Sequence, residues 1–232
     1  MRNNVVIGAS SGIGKSITNR LIAQNENVWA TYNTSKDLFS EDRINWNHLD
    51  VLQDSISLNF IPDKIDTIVY CPGSINLKPF KRFTPQHFID DYNLQVVGAI
   101  KLIQYALPAL LKSSNPSIVF FSTVAVNQGF SFHTQVATSK GAIEGLTRSL
   151  AAEFAPNIRV NAVAPSLTNT PLTEKLLNSD DKQKVNASRH PLKRIGIPED
   201  IAEMVLFLLS EKSTWITGQV FHVDGGMSNL KL

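Results

Sequence analysis

A short apolar strand that runs directly into a glycine-rich turn and an amphipathic helix most restricts how this chain folds. Residues 5–7 are consecutively apolar, the turn spans residues 8–14, and residues 12–23 carry apolar side chains at helical spacing. Similar apolar runs alternate with helical segments along the first half of the sequence. Strands joined by crossover helices form a parallel sheet that is covered by helices on both faces. The order of these elements therefore predicts an α/β fold.

Runs of β-branched and aromatic residues mark the strands of this sheet. The predicted strands are residues 4–7, 27–31, 45–49, 67–70, 117–122, 158–163 and 219–223. Helical periodicity is clearest in residues 12–23 and 99–111, where Pro108 interrupts the second stripe. Linkers rich in Pro, Gly or Ser are absent from the sequence, so residues 1–232 are expected to form one domain. The polar, helix-prone residues 166–191 are expected to form a lid within it.

The composition narrows the function classes. The 22 basic and 20 acidic residues give a formal charge of +2, without any basic run of three, so no nucleic-acid partner is expected. Apolar stretches are too short for a membrane span or a signal peptide, so we expect a cytoplasmic protein without membrane contact. Because Cys71 is the single cysteine and the histidines lack metal-ligand spacing, neither an internal disulfide nor a metal site is expected.

The glycine turn is the first candidate binding site. It reads Gly8-Ala9-Ser10-Ser11-Gly12-Ile13-Gly14. Glycines at such a turn let backbone N–H groups approach an anion, and the dipole of the following helix favours a pyrophosphate there. A tight turn without a ligand would use the same residues, but three glycines in the first turn of an alternating α/β chain favour dinucleotide binding.

The same turn also matches the G-x-S-x-G pattern of hydrolases, with Ser10 as the nucleophile. A hydrolase of that type needs an oxyanion-hole loop that follows an earlier strand. Only seven residues precede Gly8, and the first strand lies among them. The hydrolase is therefore the weaker alternative.

Six motifs make the chain resemble the short-chain dehydrogenase/reductase family over nearly its whole length. They are Gly8-x3-Gly12-x-Gly14, Asp50-Val51, Ile158-Arg159-Val160-Asn161-Ala162-Val163-Ala164-Pro165, Pro198-Glu199-Asp200-Ile201-Ala202, Ile216-Thr217-Gly218-Gln219 and Val223-Asp224-Gly225-Gly226. The resemblance implies a doubly wound parallel sheet of the Rossmann type with about seven strands and helices on both faces. It also implies a nicotinamide cofactor, a small-molecule substrate and a homo-oligomer, either a tetramer or a dimer.

The resemblance assigns cofactor contacts to four segments. The glycine turn would hold the pyrophosphate, the end of the third strand the adenine, the loop after the fourth strand the adenine ribose, and the loop after the sixth strand the carboxamide and phosphates. The residues of these segments are Gly8, Ser10, Ser11, Gly12, Ile13, Gly14, Asp50, Val51, Cys71, Gly73, Pro165, Thr168 and Thr170, and the resemblance assigns Lys140 to the nicotinamide ribose. Ser166 stands where the family has a glycine. Asp50 and Thr170 would also fit simple capping roles.

The tip of the second predicted strand bears on the choice of cofactor. A carboxylate there would bind the ribose 2′-hydroxyl of NAD and repel a 2′-phosphate. Tyr32 stands at that tip, and Asn33, Thr34, Ser35 and Lys36 follow with hydrogen-bond donors and one cation. These residues favour NADP(H) over NAD(H), although a solvated loop would have the same composition.

The catalytic residues depart from the family pattern, which is an Asn, a Ser and a Tyr-x3-Lys pair. In that pattern the Tyr delivers a proton, and the Lys lowers the pKa of the Tyr from about 10. Lys140 is retained here, but Val136 occupies the Tyr position, and valine cannot transfer a proton. Gln95 falls at the Asn position and Thr123 at the Ser position, where it keeps a hydroxyl. Gln95, Thr123 and Lys140 are therefore the catalytic candidates.

His133 is a candidate replacement for the missing acid. It precedes Lys140 by seven residues, the spacing at which the divergent enoyl reductases of the family place their Tyr. Histidine titrates near neutrality and can act as a general acid. The glycine turn, however, is that of the main branch of the family, and a single His is more often an ordinary polar residue.

Two functions remain open from the sequence. The first is an NADP(H)-dependent oxidoreductase that reduces a small carbonyl compound or an activated double bond. The second is a nucleotide-binding regulatory or scaffolding subunit with the same fold. The loss of a positioned acid costs about a hundredfold to ten-thousandfold in rate, so either function fits Val136.

Overall fold

The computed structural model of the chain describes residues 1–35 and 38–230. Its strands are β1 Asn3–Ile7, β2 Asn27–Tyr32, β3 Ile44–His48, β4 Thr67–Tyr70, β5 Ser117–Phe121, β6 Arg159–Pro165 and β7 Val220–Val223. In the described residues they form one parallel sheet in the order β3-β2-β1-β4-β5-β6-β7. The direction of winding changes between β1 and β4, and ligands of such sheets bind at the carboxyl edge beside this point.

Helices cover both faces of the sheet. They are α1 Gly12–Ala23, α2 Pro85–Tyr92, α3 Gly98–Leu110, α4 Ala125–Gln128, α5 Thr134–Phe154, α6 Glu174–Leu177, α7 Asp180–Ser188 and α8 Pro198–Leu209. A π-helix, Asn93–Val97, joins α2 to α3, and short 3-10 helices occupy Phe80–Arg82, Pro171–Thr173 and Glu211–Ser213. The prediction of a doubly wound Rossmann sheet is thereby confirmed.

The core forms two layers because successive strand residues point to opposite faces. In β1, Val5 and Ile7 pack in the layer that includes α3 and α5. Val6 packs on the other face, where α1 and α8 contribute their apolar stripes. A strand that is buried on both faces has to be apolar throughout, which is why the apolar runs identified the strands.

The predicted element bounds agree with the structure to within a few residues, and the differences lie at element ends. Pro108 falls in the last turn of α3, so its missing N–H removes a bond near the end and the helix continues to Leu110. Residues 166–191 contain the Pro171–Thr173 turn, α6 and α7. Of the helices in the described residues, none is long and apolar enough to cross a membrane.

Candidate active site

A cleft of about 1430 Å³ opens at the carboxyl edge of the sheet. One side is formed by the glycine turn between β1 and α1, and the floor by the ends of β4 and β5. Residues of the segment between β6 and α8 cover the other side. Most of the predicted cofactor and catalytic residues line this cleft, namely Gly8, Ser10, Ser11, Gly12, Ile13, Gly14, Asn33, Thr34, Val51, Cys71, Gly73, Thr123, His133, Lys140, Pro165, Thr168 and Thr170.

Close packing requires the glycines of the turn. A Cβ on Gly14 would lie 2.2 Å from the carbonyl oxygen of Gly8, so a larger residue would force the strand and the helix apart. Gly12 has a φ of +51° and faces Thr170, whose Cβ would be 3.3 Å from an added Cβ. The turn is therefore tight, and it meets the segment that follows β6.

The N-terminus of α1 faces the cleft with its backbone donors available. Ser11 is the N-cap residue, and in the described part of the chain its side chain makes no capping hydrogen bond. The first turn of α1 carries no acidic residue. A helix terminus with free N–H groups attracts an anion, so the turn fits the pyrophosphate of a dinucleotide.

One end of the cleft lies beside β2 and β3. The ring of Tyr32 packs edge-on against Trp46 and His48, with centroids 6.3 and 5.6 Å away. Asn33 and Thr34 follow it and are exposed at the cleft. Ser35 does not line the cleft, and Lys36 lies outside the described residues.

Two predicted cofactor residues also serve as local caps. Asp50 does not line the cleft, and its Oδ1 accepts a hydrogen bond from the backbone N–H of Leu52 at 3.0 Å. Thr170 lines the cleft, but its backbone N–H donates to Thr173 Oγ1 at 3.1 Å at the start of the Pro171–Thr173 turn. These hydrogen bonds match the alternative of a local structural role for both residues.

Thr123 follows β5 and presents its hydroxyl at the cleft. Its Oγ1 accepts a hydrogen bond from the backbone N–H of Ala125 at 3.3 Å. Ser122, the preceding residue, instead donates from Oγ to the buried Glu144 at 2.8 Å. Because that bond occupies the hydroxyl of Ser122, Thr123 is the better placed of the two to contact a substrate.

Val136 and Lys140 lie one turn apart on α5, and both line the cleft. Their exposed fractions are 6% and 9%. Within the described residues Lys140 forms no salt bridge, and Val136 offers only methyl groups to the cleft.

Gln95 lies beneath the cleft, in the π-helix, and is 1% exposed. Its Nε2 donates to both carboxylate oxygens of Asp91, each at 2.8 Å. In the described residues its Oε1 is buried without a hydrogen-bond partner. A Cβ added to Gly73 would lie 3.4 Å from Gln95 Oε1 and 3.6 Å from Lys140 Nζ, so these two polar atoms converge on Gly73.

Tyr70 contacts the π-helix that carries Gln95. The hydroxyl of Tyr70 donates to the carbonyl of Leu94 at 2.6 Å, a carbonyl at the start of the widened turn. The hydroxyl would lie 2.4 Å from a Cβ on Gly98, so only glycine fits there. Burial raises the pKa of Tyr70, which keeps this hydroxyl a donor. This hydroxyl thus ties β4 to the widened turn.

Burial controls the ionisation of the groups next to Lys140. It lowers the pKa of Lys140 to about 8, while the charge of Asp91 acts in the opposite direction. Burial raises the pKa of the Cys71 thiol to about 12, against the effect of Lys140. At neutral pH the thiol is therefore protonated, and Lys140 is a cation that can lose its proton in mildly alkaline solution.

Comparison with known proteins identifies the family. The family model described as Enoyl-(Acyl carrier protein) reductase matches residues 8–228. The 3-oxoacyl-(acyl-carrier-protein) reductase FabG of Aquifex aeolicus is 31% identical over 247 residues, which cover 97% of this chain and 96% of the relative. This chain belongs to the short-chain dehydrogenase/reductase family.

Other family members are similar over different lengths. The FabG of Thermotoga maritima is 38% identical over 165 residues, which cover 71% of this chain and 66% of that reductase, slightly less than two thirds of its length. The solved structure of ElxO with NADP bound has a TM-score of 0.87 at 27% identity and covers 99% of this chain and 100% of that chain. The family and its nicotinamide-binding fold are therefore shown.

His133 lies at the beginning of α5 and not within it. It is the N-cap residue, and its ring Nδ1 donates to the carbonyl of Ser131 at 2.8 Å. The ring packs 5.4 Å from that of Phe130 and lines the cleft. Because the helix begins at Thr134, helical spacing alone does not place this ring beside Lys140.

Sequence reasoning missed two polar contacts of the site. Asp91 is 3% exposed and accepts hydrogen bonds from Gln95 and from the hydroxyl of Ser74. In the sequence, this contact was indicated only by the spacing of four residues between Asp91 and Gln95, which places the two side chains on the same face of a helix. The second contact joins Ser166 Oγ to His190 Nε2 at 2.8 Å, while His190 Nδ1 donates to the carbonyl of Asn186 at 2.9 Å. In the sequence, the only indication of this second contact was that Ser166 stands where the family has a glycine and so adds a hydroxyl there.

Proposed function

We propose that the protein is an NADP(H)-dependent oxidoreductase that reduces a small carbonyl compound or an activated double bond. The observation that carries the proposal is the buried cation Lys140, which faces the same cleft as the hydroxyl of Thr123 and the uncapped N-terminus of α1. The relatives described above are named as reductases, and ElxO binds NADP.

The residues of the cleft fit a nicotinamide dinucleotide. The N-terminus of α1 with Ser10 and Ser11 would hold the pyrophosphate, and Lys140 the nicotinamide ribose. When bound, the cofactor supplies the hydride of the reduction. We place the 2′-phosphate of NADP beside Asn33 and Thr34, since Tyr32 brings no carboxylate to repel it.

On this proposal Thr123 orients the substrate. Its hydroxyl would donate a hydrogen bond to the carbonyl oxygen, whose negative charge grows as the hydride arrives. Val136 supplies no proton, so the proton comes from His133 or from water. Residues 166–191 lie along the cleft and would enclose the substrate as a lid.

The absence of a proton donor at Val136 favours a second function, in which the protein binds the dinucleotide but does not catalyse a reduction. A protein that binds the dinucleotide without turnover would serve as a regulatory or scaffolding subunit. It would keep the glycine turn and Lys140 while losing the proton donor.

We further propose that the protein is a homo-oligomer, either a tetramer or a dimer. Tyr105 and Leu111 are exposed at α3, and Gly145 of α5 has open space where a Cβ would stand. Faces of this kind suit isologous packing of one copy against another. Light scattering that gives a monomer mass at micromolar concentration would contradict this.

Two measurements together test the function. Titration of nicotinamide fluorescence should show binding of NADPH, and NADPH oxidation should accelerate with small ketones, diketones or enones. Binding without acceleration for any of these compounds would favour the subunit without turnover. Absence of NADPH binding would overturn both functions.

A further inference from the structure

The charged side chains that line the cleft are mostly basic. Among the described residues, the basic ones are Lys140, Lys175, Lys182 and Arg189, and the acidic one is Asp181. Lys140 lies on α5, whereas the other four belong to α6 and α7 or follow α7 directly. Within the described part of the chain, none of these four forms a salt bridge. The segment between β6 and α8 therefore brings a net positive charge to the cleft.

One face of α7 is turned towards the cleft. From the third residue of this helix onwards, the residues that line the cleft are Lys182, Val185, Asn186 and Arg189. Side chains three and four residues apart share one face of a helix. Lys184 lies on the same helix but does not line the cleft. Because no residue of α7 is buried, the protein core does not use this face, and it remains available to a ligand.

The two cations of this face are bonded only to neutral acceptors in the described residues. Lys182 Nζ donates to Asn178 Oδ1 at 2.8 Å and to the carbonyl of Lys175 at 3.3 Å. Arg189 donates from one nitrogen to Asn186 Oδ1 at 3.4 Å. A guanidinium has five N–H donors, and its planar fork matches the two oxygens of a carboxylate. The positive charge of this face therefore favours an anionic group in the cleft.

Large apolar side chains are exposed around the same cleft. Those that line it are Ile75, Phe132, Leu172 and Val185, with exposed fractions of 36%, 54%, 53% and 54%. They come from four separate segments of the chain. Exposed apolar side chains that converge on one cleft are typical of a surface that binds an apolar compound. The cleft therefore combines an apolar surface with a basic one.

The backbone of Phe132 is strained where it meets this surface. Its φ of +71° lies in the left-handed region, which residues with a bulky side chain rarely adopt. The neighbouring ring of Phe130 packs against His133 with centroids 5.4 Å apart, whereas the ring of Phe132 stays exposed. Strained residues cluster at ligand sites, where the surrounding structure holds them in place. The strain at Phe132 therefore supports a contact between its ring and a ligand.

We propose that the substrate is an apolar ketone that carries a carboxylate. Its apolar body would lie against Phe132 and Val185, and its carboxylate would bind Arg189 and Lys182. This inference rests on the proposed oxidoreductase function and names its substrate class. The cleft of about 1430 Å³ exceeds the roughly 300–1,000 Å³ of common ligand pockets, so it has room for a dinucleotide and a second compound. Asp181, in the first turn of α7, opposes the attraction of the carboxylate.

The first test measures binding without turnover. Benzoylbutyrate, an apolar keto acid, and its uncharged methyl ester are titrated by calorimetry into protein saturated with NADP+, the oxidised cofactor. The keto acid should bind about tenfold more tightly than the ester, because two ion pairs are formed. Its affinity should fall as the salt concentration rises, and that of the ester should not. Equal affinities for the two compounds, or binding of neither, would overturn the proposal.

Charge variants of α7 locate the carboxylate. Arg189→Gln should weaken binding of the keto acid about threefold, and the double variant with Lys182→Gln about tenfold, without a change for the ester or NADP+. Lys184→Gln is the matched control, since it removes a charge from the side of α7 that does not line the cleft. Asp181→Asn should tighten binding of the keto acid about twofold. An equal loss in Lys184→Gln and Arg189→Gln, or weaker NADP+ binding in the double variant, would overturn the assignment.

A further variant tests the apolar surface. Phe132→Ala should weaken the keto acid and the ester alike, by about fivefold, because both lose the ring contact. Phe80→Ala removes a ring that is 69% exposed but does not line the cleft, and it should change neither affinity. Wild-type affinities in Phe132→Ala would overturn the role of its ring.

Failure of this proposal and failure of the oxidoreductase function give different results. If NADP+ and the keto acid bind with these preferences but NADPH is not oxidised, the oxidoreductase function is overturned and the carboxylate site is supported. If NADPH is oxidised with uncharged ketones and the keto acid has no advantage in binding, the function is supported and the carboxylate site is overturned.

Discussion

The hydroxyl of Ser122 donates a hydrogen bond to Glu144 Oε1 at 2.8 Å, across the interface between β5 and α5. Both residues are buried, and Glu144 also pairs with Arg148 at 3.1 Å. Two adjacent hydroxyl residues therefore have different tasks. Both line the cleft, but the hydroxyl of Ser122 ties the end of β5 to α5, whereas that of Thr123 accepts from the backbone N–H of Ala125.

Thr123→Ala should lower kcat for carbonyl reduction about tenfold or more, because the developing oxyanion loses a donor. NADPH affinity should stay unchanged. Ser122→Ala is the matched control and should retain turnover, but it should lose about 1–3 kcal/mol of unfolding free energy because Glu144 loses a buried partner. Steady-state kinetics and denaturant unfolding measure these effects. A Ser122→Ala variant that loses turnover while Thr123→Ala keeps it would reverse the assignment.

Gly14→Ala should abolish or strongly weaken NADPH binding. The new Cβ would lie 2.2 Å from the carbonyl of Gly8, so the turn has to move and its N–H groups lose their arrangement around the pyrophosphate. Asn19→Ala, on the exposed side of the same helix, should bind NADPH as the wild type does. Fluorescence titration measures the NADPH affinity of both variants. Equal affinities would contradict the assignment of the glycine turn to the pyrophosphate.

The fold was predictable because its signals are local. Apolar runs have to be buried on both faces of a parallel sheet, and the glycine turn has to be tight, so strands and turn followed from the sequence. The π-helix was not predicted, and its contact with Tyr70, a bond from a strand residue to the carbonyl of Leu94, joins residues 24 positions apart in the sequence. Gln95 lies in this π-helix, and its pairing with the buried Asp91 was not predicted either.

Tyr32→Asp should shift cofactor preference towards NADH. A carboxylate at the tip of β2 would accept from the ribose 2′-hydroxyl and repel a 2′-phosphate. Tyr32→Phe keeps the ring contacts with Trp46 and His48 and should keep the preference for NADPH. The ratio of the two dissociation constants is the measurement. Tighter NADH than NADPH binding by the wild type would disprove the cofactor proposal.

Ser166→Gly should loosen the segment between β6 and α8. His190 is 2% exposed, and its Nε2 would lose the hydroxyl that bonds to it at 2.8 Å. We expect a loss of about 1–3 kcal/mol of unfolding free energy and faster proteolysis within residues 166–191. Ser188→Ala removes an exposed hydroxyl from the end of α7 and should change neither property. Identical proteolysis of the two variants would contradict this role of the bond.

Val136→Tyr should raise NADPH-dependent reduction of small ketones or diketones above the wild-type rate. The new phenol would stand one turn from Lys140 at the cleft, where the ammonium lowers its pKa and makes it a proton donor. A positioned acid contributes about a hundredfold or more, which sets the expected gain. Val136→Phe adds the same ring without the hydroxyl and should give no gain.

The double variant Val136→Tyr with Thr123→Ala completes this prediction. Its rate should fall below that of Val136→Tyr, because the phenol and the threonine hydroxyl act on the same substrate oxygen. In the wild type, His133→Ala should abolish turnover only if the histidine is the acid. If Val136→Tyr binds NADPH but gains no activity over Val136→Phe, then the cleft no longer holds a carbonyl beside this turn of α5. The protein would then bind its nucleotide for a purpose other than reduction.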